Sequence, residues 1–411
     1  MKSEERFLNH SLKQLRIRQF WTQKGHSVSF AFYFRYFLTV IICSPFWIGL
    51  LVHFIIVIRD DLEVNLSGDV SVLTSIVGLH FMSFSIVWKH KKIADLFNAL
   101  TAPTEFGKPD NFEQTIRKLN LYSKSYASYC ISGMFVYAFI KHQEIPQCLR
   151  NNEEKGLQEV CGAMTPTWTP FDINFNRFPN RQFLLIVQLI SVFVIICGGA
   201  AVSFTTFEIA TVIVLKMKHL RTLLKHAFDD PKNVVWWKNI DCCIKYHRHI
   251  IKLQELFDMQ YKYPNGSYVL IVGVVIAGLA NQYMKEKNFG AIIHLGGWVF
   301  SFYICCRAGQ ILLTESMMIP NAIYNSKWYK LPVDLQKIVL MIITRSQQPM
   351  ELHAAPIGVM SHELFITSAT PFFYCRHILL ILNCTQAWIG VILHIIVVTK
   401  GTTSHKSQIQ K

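Results

Sequence analysis

Residues 307–363 read RAGQILLTESMMIPNAIYNSKWYKLPVDLQKIVLMIITRSQQPMELHAAPIGVMSHE. An apolar span ends at Arg307-Ala308-Gly309-Gln310. From a start near Pro332, Leu335, Ile338, Val339 and Ile342 recur at the spacing of a helix with one apolar face. Arg345 and Pro349 follow, and a last apolar region then opens. The stretch predicts a short amphipathic helix between two membrane spans, on the side where positive charge collects.

The rest of the chain agrees. Half of it is hydrophobic (51%) and only 16% is charged, against about 25% in soluble domains. Length alone would suggest two or three soluble domains, but the apolar runs overrule it. A crossing needs about 20 mostly apolar residues. Candidates are Phe30–Ile58, Val70–Trp88, Tyr122–Ile140, Phe183–Leu215, Tyr268–Tyr283, Ala291–Leu313 and Ala354–Tyr374, with a further apolar run at Ile378–Val398. Backbone polar groups in lipid must be satisfied internally, so these spans are helices. The fold class is an all-α membrane protein with seven transmembrane helices. Residues 1–29 have no apolar core, so no cleavable signal is expected.

The net charge of +15 could suit a nucleic acid, but its placement argues against one. Segments 1–29, 89–118, 216–262 and 314–345 hold 26 Lys and Arg; the alternate loops hold 8. Positive charge marks the cytoplasmic side, so the N-terminus is cytoplasmic and seven spans leave the C-terminus outside. This topology is inverted relative to a G-protein-coupled receptor, and the chain lacks both an Asp-Arg-Tyr triplet and an Asn-Pro-x-x-Tyr run.

Local features fill in this frame. Leu8, Leu12, Leu15 and Gln19 suggest an amphipathic helix on the membrane surface. The sequon at Asn65 faces the lumen and permits glycosylation; those at Asn9 and Asn265 lie on the cytoplasmic side. The outer loop 141–180 carries the aromatic stretch Trp168–Phe171 and holds Cys148 and Cys161 in an oxidising compartment, which makes them disulfide candidates. A loop of this length suits a lid over a pocket. The fourth span, at 33 residues, is about 50 Å long, so it projects into the cytoplasm and places Glu208 below the hydrocarbon. Asp229-Asp230-Pro231 reads as a helix start, followed by a face of Ile240, Cys243, Ile244, His247, Ile251 and Phe257. Tyr263-Pro264-Asn265-Gly266 marks the start of a short fifth span.

No catalytic constellation is present in the sequence. There is no glycine-rich phosphate loop and no Cys-x-x-Cys spacing; Cys242-Cys243 and Cys305-Cys306 are adjacent pairs, poor as metal chelates. His362-Glu363 opens like a zinc-protease motif, but Ile366 stands where the second His is needed. No enzyme, metal or cofactor is expected. A proton-coupled transporter needs carboxylates or basic residues at mid-membrane; the second and third spans have no Asp, Glu, Lys or Arg near their middle, and Glu363 in the seventh region is the exception.

Ala322-Ile323-Tyr324, Trp328-Tyr329, Leu331-Pro332, Arg345-Ser346-Gln347 and Pro349 resemble the C-terminal signature of insect odorant receptors in order and spacing. Cys243–Ile250 resembles a second motif of that family. The resemblance runs through Phe365 and implies the inverted seven-helix topology. It also implies a division into a cytoplasmic segment 1–29, helices 1–6 over 30–313 with an extension at 216–262, an anchor over 314–353, a pore-lining helix over 354–376 and an atypical extension over 377–411. By resemblance, the anchor is where four subunits meet, the partner is the family's co-receptor in a heterotetramer, and the ligand is a small neutral volatile. Location in the plasma membrane of a sensory-neuron dendrite follows in the same way. The chain looks like the odorant-tuned subunit, since the co-receptor carries a longer insertion in the second cytoplasmic segment.

The family's pocket lies in the outer half of helices 2, 3, 4 and 6. An apolar cavity with a few polar groups is then expected from Ser71, Thr74, Ser75 and Leu79; from Cys130, Met134 and Tyr137; from Val187 and Ser191; and from His294, Trp298 and Phe302. Ser75, Tyr137 and Trp298 are preferred. The seventh helix would line a cation pore with Glu363, Thr367, Ser368 and Thr370. Past Phe365 the sequence departs from the family. Pro371 would kink a helix, and Ile378–Val398 is an eighth crossing, an extended pore helix or a translated alternative exon or intron, the last being favoured. A gustatory receptor-like channel and a metabotropic seven-helix receptor are the alternatives.

Overall fold

The computed structural model describes residues 9–21, 29–59, 66–102, 106–156, 159–165, 167, 176–229, 236–287 and 289–374. Asn65, the stretch Trp168–Phe171 and everything after Tyr374, including Ile378–Val398, lie outside them. Eleven α-helices are described: α1 (Asn9–Ile17), α2 (Phe30–Arg59), α3 (Ser67–Trp88), α4 (His90–Thr101), α5 (Phe112–Gln143), α6 (Ile145–Lys155), α7 (Asn180–Asp229), α8 (Trp236–Glu286), α9 (Phe289–Tyr324), α10 (Val333–Ser346) and α11 (His362–Tyr374). Among the described residues, α2, α3, α7, α8 and α9 are each long and apolar enough to cross a membrane. α5 supplies a Ser- and Tyr-rich crossing, and α11 is the seventh membrane helix. The chain is an all-helical membrane protein.

Three of these helices outrun a bilayer. At about 1.5 Å per residue, the 50 residues of α7 and 51 of α8 reach roughly 75 Å each. Their cytoplasmic halves and that of α9 pack around Ile209, Ile213, Met217, Ile250, Phe257 and Ile319, all at most 1% exposed. Glu315 of α9 clamps this extension, accepting from Arg221 at 2.8 Å and Lys218 at 3.2 Å on α7. α10 lays Leu335, Val339 and Ile342 against it and leaves Val333, Leu340 and Met341 exposed.

Several expectations change here. Tyr263–Gly266 does not open a separate helix, because α8 runs through Pro264 unbroken. Proline removes one helical hydrogen bond, which frees the carbonyl of Gln260. Lys89, between α3 and α4, donates to that carbonyl at 3.1 Å. Asp229 is the last described residue of α7; Asp230 and Pro231 of the expected helix start lie outside the described residues, and α8 is described from Trp236. The apolar face of α1 is turned to the bundle: Leu12 and Leu15 are buried, Ser11 bonds Ser123 of α5 at 2.8 Å, and Arg18 inserts to bond the Phe193 carbonyl at 3.0 Å. Glu208 is not hydrated below the hydrocarbon. It is fully buried near Ser11 and Tyr261, because α1 and α8 close over it.

The seventh helix also starts later than Ala354. His353–Ala354 pairs antiparallel with Gly358–Val359, and α11 begins at His362. This hairpin is docked on α8. The Ala355 amide donates to the Lys262 carbonyl at 2.9 Å, and the His353 amide and Nδ1 both face Asp258 Oδ1, at 2.7 and 3.1 Å. The hydrogen bond from Asp258 raises the His353 pKa above its ordinary value of 6.5, against the opposing effect of partial burial. A raised folded pKa means that the stabilisation is fully present below about 6.5 and fades as pH rises through the higher folded value. Wild-type protein in detergent is therefore expected to lose more melting temperature than Asp258→Asn between pH 6 and pH 8.5. Equal slopes would show that the tie contributes nothing.

Candidate ligand cavity

α7 stands at the centre of the outer half, with α2, α3, α5, α8 and α9 around it. Close packing at its axis depends on small residues: a Cβ added to Gly199 would meet Leu79 of α3. A cavity of about 120 Å³ lies between these helices. Ser75 and Leu79 of α3, Met134 and Tyr137 of α5, and His294 and Trp298 of α9 are on its wall; so is Cys130. Val187, Ser191 and Phe302 are not. The wall contributed by α7 is Val192, Ile196, Cys197, Gly199, Ala200 and Ser203, about one residue around the helix. Ser191 instead turns its hydroxyl to the Val187 carbonyl at 2.8 Å. Phe302, fully buried, packs behind the cavity.

Two contributors lack a helical signature in the sequence. Met164 and Thr165 come from the outer loop. Gln188 of α7 pins that loop: its Oε1 accepts from the Met164 amide at 2.7 Å, and its Nε2 donates to Thr167 Oγ1 at 3.0 Å. A disulfide joins Cys148 to Cys161. Farther up, His53 of α2 sits between two carboxylates, Nδ1 at 2.6 Å from Asp69 of α3 and Nε2 at 3.1 Å from Glu159 of the loop. Tyr268 of α8 also lines the cavity, from a helix not expected to contribute to it; a Tyr at the expected start of a span reads as an interfacial anchor.

The cavity offers little polarity. Among the described residues, no Asp, Glu, Lys or Arg lines it. Ser75 spends its hydroxyl on the Ser71 carbonyl at 2.6 Å, and Tyr129 spends its own on the Ile293 carbonyl at 2.9 Å. Such a wall suits a neutral, largely apolar molecule.

Rings connect the cavity to α11. Trp298 stacks on Tyr268 with centroids 5.8 Å apart, Tyr268 meets Phe302 at 6.4 Å, and Phe302 meets Phe365 of α11 at 5.4 Å. On α11, Glu363 and Thr367 are exposed together with Ile366, whereas Ser368 is buried. Adjacent residues on a helix point about 100° apart, so Thr367 and Ser368 do not share a face as the sequence reading had them do. The backbone of Thr370 continues the helix.

A family model described as "7tm Odorant receptor" matches residues 64–370. Odorant receptor 10 of Aedes albopictus is 25% identical over 198 residues, which is 46% of this chain and 52% of that protein; the chain spans about half the length of the curated relatives it matches. The solved insect olfactory receptor OR5 from Machilis hrabei superposes with a TM-score of 0.72 at 15% identity, over 92% of this chain and 98% of that one. Its structure in complex with eugenol gives 0.66, also at 15% identity, with 96% and 97% covered. The family match takes in most of the chain, from the second membrane helix into the seventh, and the chain belongs to the 7tm odorant receptor family.

Proposed function

We propose that the chain is an odorant-tuned subunit that assembles with a co-receptor as a heterotetramer, forming an odorant-gated, non-selective cation channel in the plasma membrane of sensory-neuron dendrites. The observation that carries this reading is the row of ring contacts from the cavity wall through Tyr268 and Phe302 to Phe365 of α11. A ligand that fits the cavity better when α11 is displaced shifts the population toward that state by its differential affinity, and by no more. No second messenger is needed. Glu363 and Thr367, on the open face of α11, would then line the ion path, while Ser368 would hold α11 to the bundle. The exposed Val333, Leu340 and Met341 of α10 supply apolar surface for the subunit contact.

The test is whole-cell current from cells expressing this chain with the co-receptor, scanned with neutral volatiles, against the co-receptor alone. The expected result is a fast cation current that requires this chain. Phe302→Ala is expected to reduce the maximal current several-fold while ligand binding survives, because it removes a ring between cavity and α11. Surface-expressed protein that gives no current, or an N-terminus found outside the cell, would sink the channel reading and favour a metabotropic receptor. Current without any co-receptor would favour the gustatory-like alternative.

A further inference from the structure

The cavity wall holds few polar groups, and the Tyr268 hydroxyl among them lies against Ser301 and Ser203. Trp298 Nε1 is 3.0 Å from His294 Nε2. An indole N–H can only donate, so His294 Nε2 is the acceptor and carries no proton. The ring is then the neutral tautomer with its proton on Nδ1. Nδ1 has no hydrogen-bond partner among the described residues, and His294 lines the cavity. On the same wall, Thr165 is 5% exposed, and its hydroxyl is buried with no partner among the described residues. A buried hydroxyl left without a partner costs about 1–3 kcal/mol, so a molecule that gives Thr165 an acceptor recovers what the protein forgoes there, while the half-buried His294 presents its Nδ1–H to the same cavity.

We infer that His294 Nδ1–H and the Thr165 hydroxyl form a polar clasp for a neutral ligand bearing a hydrogen-bond-accepting oxygen, such as a ketone, aldehyde or ester, and that the cavity discriminates against hydrocarbons of the same shape. This inference rests on the cavity being the odorant site. Charged molecules are disfavoured on the same grounds. An ammonium finds no carboxylate in the lining, and a carboxylate finds a neutral imidazole whose second proton would leave the Trp298 N–H without an acceptor. Trp298 acts on the ligand's oxygen through His294, as a positioning residue, by holding the proton on Nδ1.

The experiment uses isosteric pairs in which a carbonyl oxygen is exchanged for a methylene: acetophenone against α-methylstyrene, and 2-octanone against 2-methyl-1-octene. Binding is read as thermal stabilisation of the purified full chain, and gating as current with the co-receptor. Wild type is expected to bind the carbonyl member of a pair at least about ten-fold more tightly, the scale of one buried hydrogen bond. His294→Leu should erase that preference. Thr165→Val should reduce the preference, and Trp298→Phe should weaken it while keeping the aromatic wall. Equal affinity for the two members of each pair in wild type, a preference that survives in His294→Leu, or no stabilisation by either carbonyl compound would each overturn the inference. Stabilisation by the carbonyl members with no current would instead leave the clasp standing and count against the channel reading.

Discussion

Alanine at Gly266 or Gly309 is expected to destabilise the protein on the order of 3 kcal/mol and to abolish ligand-evoked current. A Cβ at Gly266 on α8 would overlap the carbonyl of Ala355, and one at Gly309 on α9 would overlap the carbonyl of Met360. Both obstacles are backbone, so no rotamer change relieves them. Both also lie in the 353–360 segment that delivers the chain to α11. The two glycines therefore form the seat on which the base of α11 rests, with the His362 amide donating to Gln310 of α9 at 3.1 Å beside it. Ser267→Ala, next to Gly266, loses only a hydroxyl that bonds the Pro264 carbonyl and is expected to melt within about 1 kcal/mol of wild type. Melting curves in detergent and currents in cells check all three. Normal melting of both glycine variants would show that the hairpin shifts freely and has no tight seat.

The second large effect is expected at the outer end. His53 is 1% exposed and Asp69 2%. Replacing His53 by Leu removes the group facing a buried carboxylate, a change that typically costs about 3–5 kcal/mol. Glu159 is 21% exposed, and Glu159→Gln keeps a hydrogen-bonding group, so it should cost much less. The effect should also reach the ligand. The Glu159 carbonyl receives Asn152 at 2.8 Å and Asn176 at 3.1 Å, and the same short loop carries Met164 and Thr165 to the cavity. His53→Leu should lower melting temperature by several degrees and weaken ligand stabilisation, with Glu159→Gln between it and wild type. If His53→Leu melts like wild type, the cluster does not hold the loop.

Membrane architecture was legible in the sequence because crossing a bilayer is a local requirement: enough consecutive apolar residues, with basic residues on one side. The apolar face of α10 was legible because a half-exposed helix must alternate its chemistry every three or four residues. Cavity residues on α3, α5 and α9 could be named because the family resemblance points to those helices and polar or aromatic side chains such as Ser75, Tyr137, His294 and Trp298 stand out in apolar spans. Three things depended on contacts between distant residues. The face that α7 gives to the cavity runs from Val192 through Ile196 and Ala200 to Ser203 rather than through Val187 and Ser191, and a helix apolar all round carries no periodicity to reveal it. The continuity of α8 through Pro264 comes from Lys89, 171 residues away along the chain. The docking of the 353–359 hairpin, and with it the start of α11, comes from Asp258, Lys262 and two glycines on other helices. Hydrophobic length and charge asymmetry are properties of a segment alone, whereas a freed carbonyl, a buried carboxylate or a helix face acquires its partner only when the chain has folded.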